Sequence, residues 1–243
     1  MKQKIKKSVI IGSALAGLFV LGAYGVLKGP EWHGEYIRNK VGSQVVMLTN
    51  KEGNHGGTGF ALQMPSGEVL TLTNAHVCGL EEDGQIYARS GRKKLPMTVF
   101  EKSDKADLCL LNGIPNMDGL KLANSVRIGQ ELAVVGHPAL MPLALSRGNL
   151  LGYEKIIVLV SMEPCEKEGG MYKNEMTMIG PVCTEQFDAG LTTIVVLGGN
   201  SGSPVVDFFG NVTGVLFASP GPEGANWGII VPLAAVKDFI KEY

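Results

Sequence analysis

No histidine follows residue 137, no two cysteines stand in C-x-x-C spacing, and the charges nearly cancel. Each absence removes a class of function. The 22 Lys and Arg against 23 Asp and Glu leave a net charge of −1, so no acidic or basic excess points to nucleic acid. The four cysteines and four histidines form no cluster with zinc-site spacing, and no metal or cofactor is expected. Charged residues make up only 19% of the chain, and stretches of helical period are missing until the C-terminus. That argues against alternating strands and helices. Glycine is what the chain has in quantity, with 33 residues. Many glycines and few charges describe a turn-rich β protein.

The N-terminus is different in kind. Lys2, Lys4, Lys6 and Lys7 precede an uncharged stretch from Ser8 to Leu27. About 20 such residues suffice to cross a bilayer as a helix. Residues 1–28 therefore read as a signal anchor that keeps the lysines in the cytoplasm and the rest outside. The alternative is a cleaved signal peptide with Ala23-Tyr24-Gly25 as its site, giving a secreted or periplasmic product. Residues 29–40 read as a linker. The remaining residues suffice for one sizeable domain or two fused small barrels.

Short apolar runs separated by turn residues fill the rest. Strands are expected at Val41–Thr49, Gly57–Leu62, Val69–Thr73, Gln85–Arg89, Met97–Glu101 and Asp107–Leu111. Asn112–Ala123 reads as a crossing between halves. A second set is expected at Glu131–Val135, Leu143–Leu151, Ile156–Ser161, Thr192–Leu197, Pro204–Asp207, Val212–Phe217 and Trp227–Val231. The fold class is all-β, a barrel or sandwich. Only Leu233–Tyr243 has a helical face, made by Leu233, Val236, Phe239 and Ile240.

The chemistry gathers at Gly198-Gly199-Asn200-Ser201-Gly202-Ser203-Pro204-Val205. Glycines let the chain turn sharply and approach a ligand. Such a turn aims the Gly199 and Ser201 N–H groups at one point while the Ser201 hydroxyl stands exposed, the layout of a nucleophile beside an oxyanion hole. A glycine-rich hairpin loop is the plain alternative. Two upstream contexts favour the chemical reading: Leu72-Thr73-Asn74-Ala75-His76-Val77 and Lys105-Ala106-Asp107-Leu108-Cys109-Leu110. All four histidines precede Ser201, which excludes the α/β-hydrolase order. The subtilisin order needs His137, which sits in a turn context, Val135-Gly136-His137-Pro138. His76, Asp107, Ser201 remains. Asp104, in a charged turn, is the rival to Asp107. Cys165 and Cys183 flank a polar segment and are candidates to staple it. Cys78 and Cys109 each stand two residues after a candidate catalytic residue, and either pair or serve as small buried hydrophobes. Four cysteines fit an oxidising compartment.

On these motifs, together with Gly57-Thr58-Gly59-Phe60, the chain from Val41 to Tyr243 resembles trypsin-like serine proteases. Val135-Gly136-His137-Pro138, Arg147-Gly148 and Trp227-Gly228-Ile229-Ile230-Val231-Pro232 resemble the bacterial HtrA family. Asn200-Ser201-Gly202-Ser203-Pro204-Val205 and the C-terminal helix are similar to the glutamyl endopeptidases. The resemblance implies the chymotrypsin fold: two packed six-stranded antiparallel β-barrels, 41–122 and 123–243, the second carrying the C-terminal helix. The PDZ module typical of HtrA proteins is not expected in a chain that stops just after that helix.

It also implies roles. Ser201 is the nucleophile, His76 its base, Asp107 the orienting acid, and the Gly199 and Ser201 N–H groups the oxyanion hole. Val195, Leu216, Phe217, Ala218 and Ser219 line the substrate pocket. None is acidic, and no histidine stands at Leu216, so an apolar residue at the cleavage position is expected. Asn200 replaces the aspartate that pairs with a new N-terminal amine in trypsin-like zymogens, so activation by N-terminal insertion is not expected. Ser203 departs from the commoner glycine. The expected activity is a tethered serine endopeptidase acting on polypeptides. A peptide-binding pseudoprotease and an esterase are the other readings.

Overall fold

The computed structural model describes residues 33–79, 85–90, 93–103, 105–165, 172–178, 180–218 and 227–243. The expected anchor over 1–28 and its alternative cleavage site lie outside the described residues. Among the described residues no helix is long and apolar enough to cross a membrane.

The expected linker is corrected at once. Helix α1 covers 33–42. Ile37 and Val41, four residues apart and so on one helical face, are 1% and 0% exposed in the largest core cluster. The folded domain therefore starts upstream of Val41.

Two antiparallel sheets follow. The first holds β1 (Val45–Thr49), β2 (Gly56–Gln63), β3 (Val69–Thr73), β4 (Ile86–Ser90), β5 (Lys93–Met97), β6 (Val99–Lys102) and β7 (Cys109–Leu111), in the order β5-β4-β1-β2-β3-β7-β6. A single helical turn, α2 (Ala75–Cys78), follows β3. The second holds β8 (Glu131–Gly136), β9 (Ala144–Ser161), β10 (Tyr172–Thr177), β11 (Gly180–Thr192), β12 (Pro204–Val206), β13 (Val212–Ala218) and β14 (Gly228–Pro232). Its order is β10-β11-β14-β13-β12-β8-β9, and β11 also pairs with β9, so six strands form a closed circuit with β10 outside it.

The chymotrypsin-like two-sheet arrangement is present, but each sheet has seven strands rather than the expected six. The extra strands were hidden by their polarity. In β5 the residues Lys93, Lys94, Leu95 and Pro96 are all exposed, so no apolar alternation marks them. β10 and the start of β11 fall in the polar Cys165–Cys183 segment, to which no strand is assigned from sequence. β9 runs unbroken for 18 residues where two strands were expected, because one end pairs with β8 and the other with β11. The strand expected at Thr192–Leu197 is absent: β11 stops at Thr192. Ile194 and Val196 are buried there, so the apolar run fills the core without joining a sheet.

The crossing between halves behaves as expected. Leu120 bridges to Leu62 and Leu122 bridges to Val212, so one extended segment touches both sheets within two residues. Alternation decides the core. In β8, Leu132 and Val134 face a cluster with Leu150, Val205 and Leu216, while Ala133 and Val135 face the cluster shared between the sheets. On the other side Leu108 and Leu110 enter the shared cluster, while Cys109 and Leu111 join Leu48, Val77 and Ile86. Helix α3 (Leu233–Ile240) buries Leu233, Val236 and Ile240, and Tyr243 O accepts from Ser66 N at 3.0 Å, tying the C-terminus to the first sheet.

Candidate active site

β3 runs into Asn74, which opens α2, and one turn of helix lifts His76 out of the sheet. Asp107 lies in the segment entering β7, and β7 pairs with β3, Thr73 opposite Cys109. Sheet register thus brings the two segments together. Asp107 accepts twice from His76: the backbone N–H meets Oδ1 at 2.9 Å and Nδ1–H meets Oδ2 at 2.6 Å. Asn74 Nδ2 donates to Asp107 O at 2.7 Å. The acid is buried and the histidine half-exposed, with side-chain exposures of 4% and 45%. A bond joins Cys78 to Cys109, directly behind the pair, and another joins Cys165 to Cys183.

Ser201 arrives from the second sheet, on the turn before β12. Thr58 holds that turn: Thr58 N donates to Ser201 O at 2.7 Å and Thr58 Oγ1 to Gly199 O at 2.8 Å. Gly199 and Gly202 have φ of +87° and +83°. A Cβ on Gly202 would lie 2.0 Å from Thr58 O, and one on Gly199 would lie 2.6 Å from His137 O. Both positions thus demand glycine for conformation and for space. Asn200, Gly202 and Ser203 donate their N–H groups to Leu197, Leu216 and Asn200. Among the described residues the Gly199 and Ser201 N–H groups donate to nothing. Gly136 makes room for Ser203, whose hydroxyl is 2.0 Å from where a Gly136 Cβ would be. That hydroxyl and Asn74 Oδ1 are buried without partners.

Phe217 connects the parts. Its carbonyl accepts from Ser201 Oγ at 3.1 Å, and its ring meets His76 edge-on at 5.8 Å and Phe187 edge-on at 4.7 Å. Ser201 and His76 thus share a neighbour, but no hydrogen bond joins them. His137 stands off, with Nδ1 donating to Met141 O at 3.0 Å. Burial holds its imidazole below the ordinary value, and the Met141 bond opposes that. Its backbone N–H serves the site by donating to Thr58 Oγ1 at 3.1 Å.

The expected pocket divides. Val195 is 51% exposed beside the serine turn, and Phe217 faces the histidine. Leu216 is corrected: at 1% exposure it packs into the second sheet's own core, because alternation along β13 turns it to the face opposite Val215 and Phe217, which join the core shared between the sheets. The Ala218 side chain, Ser219 and the rival Asp104 lie outside what is described. Sequence reading missed Glu185, which is 9% exposed. Burial pushes its carboxyl above the ordinary value, the Asp107 charge adds to that, and His76 opposes it. A lone acid just past Cys183, in a stretch to which sequence reading assigned no element, carried no signal. A cavity of about 710 Å³ between β9 and α3, lined by Asn124, Tyr153, Lys155, Asp188, Leu233 and Lys237 among others, shares no residue with the cluster.

With this geometry established, three comparisons bear on it. The family described as "Trypsin-like peptidase domain" matches residues 57–215. The mitochondrial serine protease HTRA2 of Drosophila virilis is 28% identical over 189 residues, covering 76% of this chain and 39% of that protein. Protein P1 of Turnip yellows virus (isolate FL-1) is 34% identical over 91 residues, or 35% of this chain and 15% of that protein. The chain thus spans less than half the length of these curated relatives. Among solved structures, the active form of the Rv3671c protease from M. tuberculosis superposes with a TM-score of 0.63 at 21% identity, covering 83% of this chain and 81% of that one. At that identity the likeness speaks for the fold.

Proposed function

The chain belongs to the trypsin-like peptidase domain family, and from that premise we propose that it is a serine endopeptidase using Ser201, His76 and Asp107. The observation that carries this reading is the double hydrogen bond from His76 to Asp107. It fixes the Nδ1–H tautomer and leaves Nε2 as a base. Nε2 takes the Ser201 proton as Oγ attacks a peptide carbonyl. The resulting oxyanion is met by the Gly199 and Ser201 N–H groups, which nothing in the described fold claims. One such donor is worth roughly 3–4 kcal/mol of barrier. His76 then protonates the leaving amine, and water hydrolyses the acyl-enzyme by the same steps in reverse. An apolar residue at the cleavage position is favoured, since neither Val195 nor Phe217 offers a counter-charge.

Tethering is part of the proposal. The Lys2–Lys7 cluster and the uncharged Ser8–Leu27 stretch support a single-pass protein with its catalytic domain outside the cytoplasm. The two disulfides accord with that compartment.

One observation favours a second reading, a peptide-binding module without turnover: the Ser201 hydroxyl donates to Phe217 O instead of to His76. Catalytic hydrogen bonds often tighten only with substrate bound, so we prefer the enzyme. The test is a fluorophosphonate probe followed by mass spectrometry of peptides released from a denatured protein. Labelling at Ser201 with cleavage after apolar residues is expected. No labelling of the folded protein would support the module, and dominant cleavage after Lys, Arg or Glu would refute the apolar preference.

A further inference from the structure

Side chains alternate along a strand, so β11 carries Glu185, Phe187 and Ala189 on one face. Ala189 and Phe187 belong to the core shared between the sheets, at 0% and 5% exposure. The row runs toward the candidate site: Phe187 meets Phe217, and Phe217 meets His76. Glu185 continues the row and lies within range of the Asp107 and His76 charges. Among the described residues no hydrogen bond or ion pair reaches its carboxylate. A nearly buried acid without a counter-charge is costly. In a core it is a defect; in the wall of a substrate cleft it is a receptor for a cation that arrives with the ligand.

The substrate's course indicates which residue brings that cation. An extended peptide with its scissile carbonyl at Ser201 lays its acyl side along the end of β13 as an added strand. Its side chains then alternate. The cleaved residue points toward Val195, and the residue before it points the other way, over His76 and Phe217. This step rests on the reading of Ser201 as nucleophile. We propose that Glu185 is a specificity-determining residue that selects Lys or Arg at the substrate position immediately preceding the cleaved residue. The selectivity therefore does not come from the pocket for the cleaved residue itself, where Val195 carries no charge.

The test uses the full chain in detergent and a peptide series with a constant apolar residue at the cleavage position. The preceding residue is Lys, Arg, norleucine or Glu, and kcat/KM is read for each. Wild type should prefer Lys and Arg over norleucine by on the order of tenfold or more, with Glu poorest. In Glu185→Gln the ratio of Lys to norleucine should collapse toward one. In Glu185→Lys the order should invert in favour of Glu. If the lysine variant does not fold, the ratio in the glutamine variant decides alone. Indifference to that position in an active wild-type enzyme overturns the inference, as does a Lys preference that survives in Glu185→Gln, or a cation preference at a more distant position only. A folded wild type that neither reacts with fluorophosphonate nor cuts any peptide overturns the protease reading and this inference with it.

Discussion

Cys78 is bonded to Cys109, so the residue two after His76 is tied to the residue two after Asp107. The bond lies in the first sheet's own core, where both cysteines are at most 1% exposed. It links the one-turn helix that carries the histidine to the strand that follows the aspartate. Helix α2 has only four residues and no side-chain cap, so it has little stability of its own. The cross-link supplies what the helix lacks.

Replacing both cysteines, as Cys78→Ser/Cys109→Ser, should therefore cost stability and rate together. The bond closes a separation of 31 residues, worth about 3–4 kcal/mol in the chain-entropy account. Denaturant unfolding measures the first effect and peptide hydrolysis the second. An unchanged unfolding midpoint would show that the sheet pairing of Thr73 with Cys109 suffices by itself.

Glycine at 202 is demanded by contact as well as by conformation. Gly67 provides the control, since its φ is +91° and a Cβ there meets nothing within 4 Å. Gly67→Ala should cost roughly 1–2 kcal/mol, the ordinary left-handed penalty. Gly202→Ala meets Thr58 O at 2.0 Å in addition, so it should cost clearly more and abolish fluorophosphonate labelling. Equal unfolding midpoints for the two variants would refute the packing argument.

These residues also mark what was legible in the sequence. His76, Asp107 and Ser201 were found by chain order and by small residues around each, which are local signals. The structure places His76 on Asp107 and brings Ser201 to the same phenylalanine. The crossing at Asn112–Ala123 was equally local. What escaped was set by pairing at a distance. The exposed strand β5 has no apolar period, so only its ladder with β4 makes it a strand. β10 likewise lacks an apolar period and is a strand through its ladder with β11. Helix α1 shows one apolar face only through Ile37 and Val41, too few to outweigh the polar residues between them. Leu216 looked like a pocket residue by position, and the alternation of β13 put it in the core instead.

The Glu185 carboxyl gives a pH dependence whose sign is defined. Its protonation is favoured in the folded state, first by burial and then by Asp107. Between the unfolded and the folded pKa the native state holds more protons than the unfolded chain. Stability from this group is complete below the ordinary carboxylate range and is lost as pH rises through that window. The thermal midpoint of Glu185→Gln should gain on wild type from pH 4 to pH 7, with the gap widening on the alkaline side. A constant gap would mean that the carboxyl titrates normally.

The last prediction concerns activation. In trypsin-like zymogens a freshly cut N-terminal amine pairs with an aspartate beside the nucleophile. Here that position is Asn200, which is 4% exposed and carries no charge to receive an amine. The start of the folded domain is also occupied in another way. Ile37 and Val41 of α1 are core residues, and the His33 ring stacks on Phe208 at 3.8 Å while its Nε2 lies 2.9 Å from Phe208 O. A cut downstream of His33 would remove packing that the second sheet already uses, and would deliver an amine that the uncharged Asn200 cannot pair with. Activity should therefore be independent of N-terminal processing. The measurement is hydrolysis by a chain beginning at Gly29 behind a tag that no protease removes, compared with the same chain after tag release. Equal kcat/KM is expected for the two. Activity that emerges only on release of a new N-terminus would overturn the argument from Asn200 and require another acid to receive the amine.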